Sequence, residues 1–125
     1  MTTSTDTLAG RQFDKATFAR LVHEAKAAGS TERAWLYLEA AHVLGQLHLK
    51  PHVRTHTLMF GLAWRTRDWP EAAGQMLRLA LVPLGHLSGR LPLGNPGRST
   101  VSAFEPIPVR QELAELIAQV AQPLR

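Results

Sequence analysis

Residues 31–66, TERAWLYLEAAHVLGQLHLKPHVRTHTLMFGLAWRT, decide the fold. The first half predicts a helix from about Thr31 to Leu47, capped by Ser30, with Leu36, Leu38, Leu44 and Leu47 spread around its circumference. A helix apolar on several sides has several neighbours, so this one is expected at the centre. His48-Leu49-Lys50-Pro51 reads as a short connector, with Pro51 in the first turn of a helix from about Pro51 to Thr66. Connectors this short join antiparallel neighbours.

The same periodicity extends outward. Phe18, Leu21, Val22 and Ala25 form one stripe of a helix from about Asp14 to Ala28, ended by Gly29. Asp68-Trp69-Pro70-Glu71 is a helix start, with Asp68 as cap and Glu71 placed to reach back as in a capping box. That helix is expected to run to about Arg90, bent at Pro83. Its run from Leu77 to Leu93, too short and too often interrupted to span a bilayer, reads as a buried helix. Leu91 to Pro108 holds four prolines and two glycines, which predicts a long irregular arm with Val101 and Phe104 tucked onto the bundle. Leu113, Leu116, Ile117 and Val120 close the core from a last helix between about Val109 and Gln122. The reading is all-α: antiparallel helical hairpins packed as a small bundle of about five helices, with an irregular arm before the last. Residues 1–12 are expected to be a flexible leader, and residues 13–125 one helical domain.

Composition narrows the chemistry. The chain has 125 residues, a formal charge of +4 and no cysteine, which excludes disulfide scaffolds, thiolate zinc sites, iron–sulfur clusters and cysteine nucleophiles. Any metal must use nitrogen or oxygen ligands. The N-terminus has neither a basic start nor an apolar segment, so the expected compartment is the cytoplasm. Basic residues are scattered from Arg11 to Arg125 without a block, which argues against nucleic acid as a partner.

Six histidines remain: His23, His42, His48, His52, His56 and His86. His52 and His56 lie about 40° apart on their helix and share a sector with Met59 and Ala63, so they point inward. Glu39, His42 and Gln46 fall within about 60° on the preceding helix. His42 and His56 stand at similar heights on either side of the connector, and helix axes about 8–10 Å apart let their side chains meet. This predicts one divalent transition ion, zinc or copper, held by Glu39, His42, His52 and His56. Gln46, Glu71 and Gln75 are candidates to orient those ligands from behind. Glu-x-x-His is also the spacing of carboxylate-bridged di-iron bundles, but those use two such motifs and more carboxylates. His48, His23 and His86 are not assigned as ligands. The bland alternative makes Glu32, Glu39, His42 and Gln46 a solvent face and the inner histidines hydrogen-bonded core residues. Gly94-Asn95-Pro96-Gly97-Arg98-Ser99-Thr100 has backbone donors and an arginine for an anion, without the lysine or spacing of a P-loop. Ser99, Thr100 and Ser102 have no recognisable base nearby in sequence, so no catalytic residue is assigned.

Leu38-Glu39-Ala40-Ala41-His42 with Gly45-Gln46, His52-x-x-x-His56, Glu71-x-x-Gly74-Gln75-x-x-Arg78 and Pro92-Leu93-Gly94-Asn95 together resemble a family of small bacterial proteins known only as a domain of unknown function. The resemblance spans about Arg11 to Leu113. Pro96 stands where that family more usually has threonine. The resemblance implies no established activity, and it implies metal handling only through an association with heavy-metal resistance functions. A 38-residue internal shift also superimposes Phe18, Leu21, Val22 and Ala25 on His56, Met59, Phe60 and Ala63, resembling tetratricopeptide hairpins. That pattern supports a competing function, a non-enzymatic module that binds a protein partner.

Overall fold

The computed structural model describes residues 13–89, 94–101 and 105–122. The expected leader, Leu91 to Leu93 and Phe104 lie outside the described residues.

Five helices form, α1 Lys15–Ala27, α2 Thr31–Gly45, α3 Leu49–Arg65, α4 Trp69–Ser88 and α5 Gln111–Ala121. Local chemistry sets their starts. Asp14, Ser30 and Asp68 accept the backbone N–H groups of Thr17, Arg33 and Glu71, satisfying donors that a helix N-terminus otherwise leaves unpaired. The connector between α2 and α3 lies two residues earlier than expected, because α2 ends at Gly45 rather than Leu47 and α3 begins at Leu49 rather than Pro51. Pro51 is tolerated there: first-turn residues have no intrahelical acceptor for their N–H, so its missing donor costs nothing. α5 begins at Gln111 instead of Val109, since Arg110 is still extended at φ −60° and ψ 139°.

α2 is central, packing on α1, α3 and α5, while α3 also packs on α4 and α1 on α5. Leu21, Leu113, Ala40 and Ala41 lie fully buried where α1, α2 and α5 meet. Trp35, Leu38, Met59, Leu62 and Ala72 fill the second core between α2, α3 and α4. Each fully buried leucine or methionine contributes about 1.5–3 kcal/mol.

α4 spans about the expected range but departs from expectation in its burial. It continues through Pro83 to Ser88 and stops at Gly89, whose N–H still bonds to the Gly85 carbonyl while its left-handed φ of 73° turns the chain out of the helix. Its second half is not the buried helix expected from the apolar run: Leu77, Leu84 and Leu87 are 54 %, 60 % and 86 % exposed. The run has no polar side turned outward, and hydropathy alone does not show which side faces water.

Candidate metal centre

Helices α2, α3 and α4 and the arm after α4 converge on a polar core. His42 comes from α2, His52 and His56 from successive turns of α3, and all three are buried. The Nε2 of His42 lies 3.1 Å from the Nε2 of His52 and 3.1 Å from that of His56. One nitrogen from each of the three rings lies within 4.8 Å of the other two, an arrangement that could hold a metal ion. An ion about 2.0–2.1 Å from each nitrogen spaces tetrahedral ligands about 3.3 Å apart, close to the spacing of His42 from each of the other two rings. The three rings could hold such an ion.

The outer ring nitrogens fix which atoms carry protons. His42 Nδ1–H donates to the Asn95 carbonyl at 2.7 Å, an oxygen that can only accept. His56 Nδ1 faces Gln75 Oε1 at 2.7 Å. The Gln75 amide cannot be turned around, because its Nε2 donates to Glu71 Oε2 and to the Gly97 carbonyl. His56 Nδ1 must therefore be the donor. In the neutral rings both Nε2 atoms are then bare lone pairs aimed at each other. His52 differs, with its Nδ1 3.0 Å from Nε2 of His86.

Burial keeps these rings neutral. It holds His42 far below the ordinary imidazole range, lowers His52 to about 3 and lowers His56 to about 4. Charge on His56 would also oppose charge on His42 and His52, and Arg78 opposes charge on His56. Neutral imidazole is the form that ligates a metal.

The arm forms the lid. Gly94, Asn95, Pro96 and Gly97 are buried, and the Gly94 N–H donates to Gln46 Oε1. Gly97 sits at φ 90°, where a Cβ would come within 2.7–2.9 Å of the His42 ring. Arg98 then runs back between two carboxylates. It bonds to Glu71, approaches Glu39 Oε1 at 3.4 Å, and lies 3.8 Å over the Trp35 ring. Arg110 holds the other Glu39 oxygen at 2.5 Å. Burial raises the Glu39 carboxyl above its ordinary value against the pull of Arg110 and Arg98. Burial also works to raise Glu71, but hydrogen bonds from Arg98 and Ser99 outweigh it and leave that carboxyl lowered.

Most expected site residues come together, in altered roles. Glu39, His42 and Gln46 are buried, so they are not a solvent face, whereas Glu32 is exposed. Both Glu39 oxygens face arginines, and Glu39 is not in the three-histidine group. Glu71 does not close a capping box: its carboxylate receives Arg98 and the Ser99 N–H instead. The arm's backbone donors are not free for an anion, since Gly94, Gly97 and Ser99 give their N–H groups to Gln46, Asn95 and Glu71. His48 is exposed and occupies the N-cap position of α3 without a side-chain capping bond, its ring beside Phe13. The sequence reading left His86 out of the ligands and missed its contact with His52, although it lies 11 residues past Gln75, about 20° from it on the same helix face.

An all-helical bundle with a buried trio of converging imidazoles defines the class of protein. Comparison with protein families places the chain within it more narrowly: it belongs to the family described as Protein of unknown function (DUF3703), whose model matches residues 12–117. No curated protein and no solved structure matches the chain. Among the described residues, no helix is long and apolar enough to cross a membrane.

Proposed function

We propose that this is a metal-handling protein that holds one divalent transition ion, zinc or copper, through the Nε2 atoms of His42, His52 and His56. The observation that carries the reading is the pair of bare nitrogens on His42 and His56. Two buried lone pairs 3.1 Å apart repel unless a cation or an extra proton lies between them, and burial opposes the proton. An ion removes the conflict.

The surrounding groups match this role. Asn95, Gln75 and His86 each take the outer nitrogen of one ligand, the arrangement that fixes ring orientation around bound metals and raises ligand basicity. All-imidazole ligation suits zinc and copper over calcium or magnesium. Three protein ligands leave a coordination position for water or for a ligand that carries the ion away. Glu39 acts as the arginine-bound strut of the lid. The reading agrees with metal handling in the cytoplasm.

Elemental analysis of protein purified without an affinity tag tests it. About one equivalent of zinc or copper per chain is expected after loading, and the double variant His52→Ala, His56→Ala should hold none. Equal uptake by that variant ends the assignment.

A further inference from the structure

α4 is built inside out. Its charged residues Glu71 and Arg78 are buried, and His86 turns to His52. Every exposed residue from Trp69 to Leu87 is apolar. Surface helices normally show the reverse.

These outward residues follow a heptad. Trp69, Ala73, Met76, Ala80, Pro83 and Leu87 alternate spacings of four and three, and Leu77 and Leu84 flank them, all within a sector about 120° wide. Trp64 extends the patch from the end of α3, its ring 5.1 Å from that of Trp69. Trp64, Trp69, Met76, Leu77, Leu84 and Leu87 are 51–86 % exposed. Together they present on the order of 700 Å² of apolar surface, against about 800 Å² given up by each partner of a stable complex. It is also more than monomers usually leave open in one patch.

We propose that this face pairs with the same face of a second copy, α4 running antiparallel to α4 about a two-fold axis. Self-pairing requires the patch to be complementary to itself, and the seam meets this. With the axis beside position 78, Met76 meets the partner's Ala80, Ala73 meets the partner's Pro83, and Trp69 meets the partner's Leu87. Large therefore meets small through the middle, where the helices come closest, and the bulky pairs close the ends. A lipid surface fits less well, because interfacial helices ring their apolar face with lysine and arginine and α4 exposes neither. The proposal does not depend on metal binding.

Sedimentation equilibrium of the full chain, with and without loaded zinc, tests it. A mass of twice the chain is expected at micromolar concentration. Met76→Glu should sediment as a monomer while keeping its helical circular dichroism. Chains carrying Met76→Cys, oxidised in mixture with chains carrying Ala80→Cys, should cross-link to each other in preference to themselves. A monomeric wild-type chain at all concentrations overturns the proposal, whether or not it co-sediments with anionic vesicles. Cross-linking of Ala80→Cys chains chiefly to themselves overturns the antiparallel register.

Discussion

The Nε2 atoms of His42 and His56 face each other at 3.1 Å, while the single proton of each neutral ring is held on the far side by Asn95 and Gln75. Gln75 enforces the second half of this arrangement. Replacing it with leucine removes the acceptor at His56 Nδ1, so the proton can move to Nε2 and bond to His42. Metal then has to displace that proton. The expected result for Gln75→Leu is a loss of about 10–100-fold in zinc affinity by competition titration. Nitrogen NMR of the metal-free protein checks the cause: Nδ1–H tautomers at His42 and His56 in the wild type, and a changed tautomer at His56 in the variant.

Gly97→Ala probes the lid. The new methyl would meet the His42 ring, and alanine is strained at φ 90°. The arm must lift, and with it the Asn95 carbonyl that orients His42. Thermal denaturation is expected to show a loss of about 1–3 kcal/mol, accompanied by weaker metal retention. Gly29→Ala is the control, because a Cβ there meets nothing within 4 Å.

The legible part of this molecule was its local part. Asp14, Ser30 and Asp68 announce helix starts because a cap acts over three residues, and His52 with His56 announces an inward face because four residues make one turn. Asn95, Arg98 and Arg110 were illegible as partners of His42 and Glu39. They arrive from 53, 59 and 71 residues away, and an irregular arm has no periodicity to say which side it presents. Glu71 shows how a local signal misleads. A carboxylate three residues after a cap has a standard local use, but the partly buried Arg98 competes for it and wins. α4 failed for the opposite reason: a helix with an apolar outer face and a polar inner one gives the same hydropathy as a buried helix.

Glu39 and the histidines can be separated by mutation. With its two oxygens held by Arg98 and Arg110, Glu39→Gln should leave metal stoichiometry at the wild-type value. It should destabilise the fold by about 1–3 kcal/mol, less than for a fully buried pair because Arg110 remains half exposed. Chemical denaturation and elemental analysis of the same sample check both halves. Loss of the ion in Glu39→Gln would place that carboxylate among the ligands.

Acid acts on the metal-free fold through the same rings. In the unfolded chain each histidine takes a proton near pH 6.5, whereas in the folded chain burial withholds it until about 4 for His56 and about 3 for His52. Between those values the unfolded state binds more protons, so stability rises with pH and falls as the solution is acidified. Each withheld proton contributes a slope approaching about 1.4 kcal/mol per pH unit below the unfolded value. Urea denaturation of chelator-treated protein should therefore give a midpoint that drops from pH 7.5 to pH 5. His52→Phe with His56→Phe removes both of these slopes and should make the curve shallower over that interval, leaving the contribution of buried His42. Excess zinc should raise the wild-type midpoint at pH 7.5 and still do so at pH 5, because the folded rings stay neutral there, and should lose its effect only as the pH approaches about 4. A wild-type midpoint independent of pH would mean that these imidazoles titrate in the fold as they do in water, with solvent reaching nitrogens that the structure places under the arm.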